Sequence, residues 1–185
     1  MWKIVNRQTK EVVLRTNNEE DLKGYRKWPF QIIHEESIMN IHVKIKKLTD
    51  TAKIPTQADA GAAGYDLYAD IKEPVIIAPH TTEKISTGIA VEMPIGYFGA
   101  IFARSGLATK KGLRPANAVG VCDPSYRGEY IVALHNDGLV SQTVEPGERI
   151  AQLIFLPYAI ADIEEASELT ETERGEGGFG STGRT

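Results

Sequence analysis

Asn117-Ala-Val-Gly-Val-Cys-Asp-Pro-Ser-Tyr-Arg-Gly-Glu-Tyr-Ile131 is the stretch on which the fold turns. Val119 to Cys122 reads as a strand, Asp123-Pro-Ser-Tyr126 as a turn, and Gly128 to Leu134 as the return strand. The pattern predicts a β-hairpin, because Asp, Pro and Ser set turn geometry and the flanks are apolar. The sequence on either side continues in the same way. Ile41 to Leu48 alternates apolar and polar residues, and Val75 to Ile77, Thr82 to Val91, Tyr97 to Phe102 and Ile150 to Leu156 are further short strand candidates. Pro74, Pro79, Pro94, Gly112, Pro115, Gly138 and Pro146 divide them. Short strands separated by turn residues predict an all-β sandwich, jelly roll or barrel. No long helical period follows Met39, which argues against a doubly wound α/β fold.

At 185 residues the chain has room for one core domain and a small appendage. Residues 1–38 form that appendage, and residues 39–185 a self-sufficient β domain. In the appendage, Trp2 to Val5 pairs with Glu11 to Arg15, Asn17 or Asn18 caps a short acidic helix, and Phe30 to Ile33 adds a strand. Its function is not legible, so a protein partner is one expectation for it. The net charge of −4 and the pI of about 5.6 argue against a nucleic-acid-coating surface, though not against a local basic pocket. The single Cys122 excludes an intrachain disulfide framework and a cysteine metal cage. No run reaches the ~18 apolar residues of a membrane span, and no signal-peptide pattern opens the chain. The expectation is a soluble, cytoplasmic protein of a reducing compartment that engages neither membrane nor nucleic acid.

Several segments carry chemistry. Asp66 follows the small-residue turn Ala60 to Gly64 and reads either as a water-mediated Mg²⁺ holder or as an ordinary turn aspartate. Arg104, Ser105 and Gly106 follow the apolar run Tyr97 to Phe102. They read as a phosphate seat or as a strand-to-helix turn with Ser105 as N-cap. Asp123 stands at the mouth of the expected hairpin and reads either as a group that orients and deprotonates a water or as an ordinary turn aspartate before proline. Tyr126 can pack on a sugar, and the hairpin backbone can read a pyrimidine edge. Cys122 reads as a strand residue, not a nucleophile. Gln152 is polar in the apolar run Ile150 to Leu156 and needs a partner. The tail Arg174-Gly-Glu-Gly-Gly-Phe-Gly-Ser-Thr-Gly183 places five glycines around a cation, a ring and two hydroxyls. It reads as a lid that orders only around a phosphate and a base. His34, His42, His80 and His135 show no metal-ligand spacing.

Five of these segments, in order, resemble the motifs of the homotrimeric dUTP pyrophosphatase (dUTPase) family: Ala63 to Leu67, Arg104 to Ala108, Gly120 to Tyr130, Gly147 to Leu153, and Arg174 to Gly183. The resemblance spans Met39 to Gly183. It implies a jelly-roll trimer with active sites at subunit interfaces, hydrolysing dUTP to dUMP and pyrophosphate with Mg²⁺. It implies that Asp123 activates the water and that Tyr126 stacks on the deoxyribose. Asn117 and the backbone from Val121 and Cys122 to Ile131 would read uracil. Arg104, Ser105, Gly106 and Gln152 would hold phosphates, with Asp66 holding Mg²⁺ through water. Arg174, Phe179, Gly180, Ser181 and Thr182 would close over the substrate from a neighbouring chain. Ala103 stands where many relatives have proline, and Cys122 where an aliphatic residue is usual. A dCTP deaminase of the same superfamily, and a nucleotide-sensing regulator using residues 1–38 as its partner surface, are the rival readings.

Overall fold

The computed structural model of the chain describes residues 2–6, 8–9, 11–26, 30–34 and 40–178. The expected boundary between residues 38 and 39, and Phe179, Gly180, Ser181 and Thr182, lie outside the described residues. The chain divides into two compact units, 1–44 and 45–185.

The first unit is a three-stranded antiparallel sheet of β1 (Trp2–Asn6), β2 (Val12–Thr16) and β3 (Phe30–His34), in the order β2-β1-β3. A 3₁₀-helix, Glu19–Tyr25, links β2 to β3, and its N-terminus is capped where Asn18 Oδ1 accepts from the Glu20 N–H at 3.1 Å. Ile4 and Leu22 are the unit's buried apolar residues.

The remaining strands follow in chain order. They are β4 (Lys44–Lys47), β5 (Thr56–Gln57), β6 (Tyr65–Tyr68), β7 (Val75–Ile77), β8 (Thr82–Ser86), β9 (Ile89–Glu92) and β10 (Tyr97–Phe102), then β11 (Leu113–Pro115), β12 (Gly120–Cys122), β13 (Ile131–Asn136), β14 (Gln142–Val144) and β15 (Arg149–Pro157). One α-helix, α1 (Ser105–Lys111), follows β10. The larger sheet runs β12-β10-β15-β6-β5, and a second runs β11-β13-β8, with the pairs β14-β7 and β4-β9 completing the set. Short antiparallel ladders folded round one core make a jelly roll. Leu67, Ile77, Ile85, Ile89, Leu134, Ile150 and Leu153 are at most 1% exposed. Each such side chain contributes roughly 1.5–3 kcal/mol by leaving water.

Two expectations on strands change. The run Thr82 to Val91 is not one strand, because Gly88 turns left-handed at φ +65° between β8 and β9. A Cβ there would strike the Asp70 carboxylate and Ala52, so no larger residue fits. The expected hairpin is also absent. β12 pairs with β10 (Gly99↔Cys122, Ala100↔Val121, Ile101↔Gly120), whereas β13 pairs with β8 and β11. Among the described residues no ladder joins β12 to β13, so residues 123–130 form an arch from one sheet to the other. Burial of the far end explains this. Tyr130 is 1% exposed, its N–H donates to the Ile89 carbonyl at 2.8 Å, and its carbonyl accepts from the Thr87 hydroxyl. The Gly88 N–H donates to Glu129 Oε1 at 2.8 Å. The returning chain is therefore tied to the 87–89 turn and not to β12.

Candidate active site

A cleft of about 380 Å³ opens where β10 ends, and Gly64, Asp66, Arg104, Ser105, Gly106, Arg149 and Gln152 line it. Arg104, with extended backbone at φ −80° and ψ 130°, is the N-cap of α1 and gives no side-chain cap. Ser105 is already helical, so the alternative of a Ser105 N-cap does not form. The first-turn N–H groups of Ser105 and Gly106 have no intrahelical acceptor and are free for a ligand. Asp66 and Gln152 are register partners on β6 and β15. Gln152 Nε2 donates to the Ala103 carbonyl at 2.9 Å. A Cβ on Gly64 would come within 2.8 Å of Gln152 Oε1, so glycine is needed beside it.

Asp66 organises the cations. Arg104 Nε donates to its Oδ1 at 2.8 Å, and Arg149 Nη1 donates to its Oδ2 at 3.0 Å. Arg104 Nη1 also reaches the Arg149 carbonyl at 3.2 Å. Two guanidiniums against one carboxylate leave the cleft with one excess positive charge. Planar forks held in this way suit bidentate contact with phosphate oxygens.

Arg149 escaped the sequence reading. Strict alternation puts residues 149 and 152 on opposite faces of a strand. The β15–β6 register slips between Arg149 and Ala151, so Arg149 faces Tyr68, Ala151 faces Leu67 and Gln152 faces Asp66. The bulge turns Arg149 onto the cleft face. Its cationic type was visible in the sequence, but its orientation was not.

Asp123 lies elsewhere. It lines a cleft of about 450 Å³ with Met93, Ile95, Pro124, Ser125, Arg127 and Tyr158, and another of about 300 Å³ with Phe98, Val121 and Tyr158. Tyr158, in both, was a second residue missed in the sequence. The Asp123 carboxylate is exposed and has no hydrogen-bond or ion-pair partner among the described residues. Arg127 Nη1 fixes the arch by donating to the Pro124 carbonyl at 2.6 Å and the Tyr126 carbonyl at 3.0 Å. Asn117 is exposed in the turn before β12, beside Ala118 at φ +60°. β12 is an edge strand, and the side away from β10 carries no ladder among the described residues. Val121, on β12, and Ile131, at the start of β13, are 65% and 46% exposed. Burial, the largest effect on it, raises the Cys122 thiol above its ordinary range, so it remains a thiol at neutral pH.

The structure thus brings Asp66, Arg104, Ser105, Gly106 and Gln152 together in one place, and Asp123, Tyr126, Val121 and Cys122 in another. Gly99, the register partner of Cys122, and Arg104 are five residues apart on the chain. At ~3.3 Å per residue that is about 17 Å. Arg174 lies in neither place. It sits in an exposed turn, with Nε donating to the Gly177 carbonyl at 2.8 Å. No helix among the described residues is long and apolar enough to cross a membrane.

Fold and cleft define a class: a jelly-roll β protein with a cationic cleft at a strand end. The chain belongs to the dUTPase family, whose profile matches residues 50–183. It is 52% identical over 132 residues to the deoxyuridine 5′-triphosphate nucleotidohydrolase of Desulfitobacterium hafniense, covering 71% of this chain and 87% of that protein. It is 45% identical over 139 residues to the same-named protein of Hydrogenobaculum, covering 75% and 96%. The dUTPase of Staphylococcus bacteriophage 80alpha, solved with dUPNHPP, is similar in structure, with a TM-score of 0.70, 30% identity, and coverage of 77% of this chain and 98% of that one. Members of the family hydrolyse dUTP to dUMP, and this chain is a dUTP diphosphatase. The first unit falls wholly before the matched residues.

Proposed function

We propose that the chain cleaves dUTP to dUMP and pyrophosphate through an Asp123-activated water attacking the α-phosphorus, in a homotrimer whose sites are shared between subunits. The separation of the two residue groups carries this reading. A base acting through one water must lie within roughly 6 Å of the phosphorus, while donors holding its phosphate chain stand roughly 3 Å from their oxygens. The strand run from Gly99, beside Cys122, to Arg104 is about 17 Å, too long for that within one chain. Asp123 of one copy therefore meets Arg104, Ser105, Gly106 and Gln152 of another, and the two half-sites combine at an interface.

In this site Arg104 and Arg149 grip phosphate oxygens and meet the charge that grows on the leaving pyrophosphate. Each Asp66 oxygen keeps a lone pair beyond its arginine, so the carboxylate fits a Mg²⁺ held through water. When bound, Mg²⁺ disperses charge on the triphosphate. The open edge of β12, with Asn117, Val121, Cys122 and Ile131, reads uracil by its backbone. Cytosine leaves those groups unpaired and is rejected. Tyr126 stacks on the deoxyribose and rejects a 2′-hydroxyl. Arg174, Phe179, Gly180, Ser181 and Thr182 close over a neighbour's site. The enzyme works in the cytoplasm, limiting uracil in DNA and supplying dUMP for dTMP synthesis. Residues 1–38 serve as a partner-binding module, which deletion followed by parallel turnover and pull-down assays would test.

Complementation tests the shared site. Asp123→Asn and Arg104→Gln are each nearly inactive alone. Unfolded together and refolded, they form mixed trimers in which some sites carry both native residues, and activity returns. If the mixture stays as inactive as its parts while remaining trimeric, each site lies within one chain and the reading fails.

A further inference from the structure

The arch carrying Asp123 and Tyr126 rests on a buried residue to which the proposed chemistry gives no role. Tyr130 is the largest of the fully buried side chains, and both its backbone polar groups are fixed to the 87–89 turn. The Tyr126 ring lies over the Tyr130 ring with centroids 6.2 Å apart and planes 25° from parallel. The Tyr126 hydroxyl donates to the Glu129 carbonyl at 3.1 Å. Gly128 leaves open the space that a Cβ would need, which the Tyr126 phenol fills. Of these contacts the ring stack alone comes from another side chain, and that side chain cannot move without disturbing the core. Stacked pairs of this kind hold a ring plane as well as burying area.

By distance and angle the Tyr130 hydroxyl has no hydrogen-bond partner among the described residues, although the Cys122 thiol lies close enough to perturb it. Burial first, and then the Cys122 thiol, keep the phenol above its ordinary range, so it stays neutral at working pH. An unpaired buried hydroxyl is a cost to stability, and it adds nothing to the ring contact.

We infer that Tyr130 is a positioning residue for sugar selection: its buried ring fixes the plane of Tyr126, and so the rejection of a 2′-hydroxyl. The ring carries this role, not the hydroxyl. The inference rests on Tyr126 being the sugar platform. A loose platform tilts away from the sugar and admits a ribose more readily, without touching Asp123 or the phosphate cleft.

The test measures the KM of dUTP and the competitive Ki of UTP on the full-length chain, with Tm recorded for every variant. Tyr130→Leu should lower the ratio of UTP Ki to dUTP KM about tenfold, the upper range of one stacked pair. Tyr130→Met, which fills volume flexibly, should do the same and serves if the leucine variant does not fold. Tyr130→Phe should keep the parent ratio with a Tm no lower than the parent. A parent ratio in the leucine or methionine variant, with only Tm reduced, makes Tyr130 a core residue and overturns the inference. Tyr126→Ala separates the two levels. If it also leaves the ratio unchanged, the sugar platform itself is misassigned and both ideas fall; if it changes the ratio while Tyr130→Leu does not, the inference alone falls.

Discussion

At the scale of single residues, the site depends on a few charges held at fixed positions. Asp123 is exposed and its carboxylate is unpaired among the described residues, which suits a group that must accept a proton from water. Asp123→Asn keeps the shape and loses the acceptor. Its kcat should fall about 10²–10⁴-fold, with the affinity for a non-hydrolysable dUTP analogue little changed. Pyrophosphate release and calorimetry check the two halves of that statement, and turnover within a few-fold of the parent would make Asp123 structural. A second ion pair answers to pH. Hydrogen bonding from Arg114, at 2.5 and 3.0 Å, is the main cause holding the Asp137 carboxyl below its usual value, with further pull from the charges of Arg114, His135 and His80. A depressed carboxyl stabilises the fold above its unfolded pKa of about 3.9 and loses that contribution as pH falls through its native value. Arg114→Gln should therefore lower Tm slightly at pH 7, and the difference should fade as pH falls below the unfolded carboxyl value and through the native one. Both residues are exposed, so the effect stays small.

At the scale of elements, Gly64 and a bulge shape the cationic cleft, and Gly88 supports the arch. Gly64→Ala pushes a methyl group against Gln152 Oε1. The fold should survive, because Gln152 is at the edge of an open cleft. Binding of dUTP and of pyrophosphate should weaken, by about fivefold or more if Gln152 loses one net hydrogen bond, while dUMP binding changes little. Equal binding of all three by calorimetry would remove Gln152 from the phosphate site. Gly88→Ala is a different matter. The position is left-handed and crowded by Asp70 and Ala52, so the cost should be roughly 2–4 kcal/mol in denaturant unfolding. Since the 87–89 turn anchors Glu129 and Tyr130, activity should fall along with stability.

At the scale of the whole molecule, the proposed site is completed only in an assembly. Light scattering at micromolar concentration should give a trimer, and an active monomer would contradict shared sites. Truncation after Glu173 removes residues 174–178, none of which lies in the buried core, and the residues after them. The truncated protein should remain a folded trimer with turnover reduced roughly 10³-fold, the scale on which an arginine meeting transition-state charge acts. Parent-level turnover after truncation would remove the tail from catalysis.

What the sequence by itself determined was local. Alternation and turn residues marked the short strands, since a period of two and the dihedral limits of Gly and Pro act within a few residues. Residue types at Asp66, Arg104, Ser105, Gly106, Asp123, Tyr126 and Gln152, read with the family resemblance, named the chemistry. Tertiary structure alone decided three things. The bulge on β15 turned Arg149 into the cleft. The burial of Tyr130 drew β13 into a different sheet from β12 and made an arch where the local pattern reads as a hairpin. The course of β10 set Arg104 about 17 Å of strand away from Gly99, the register partner of Cys122. Each of these depends on which distant strand a segment pairs with. That choice is made by burial summed over the whole core, and no single stretch of sequence carries it.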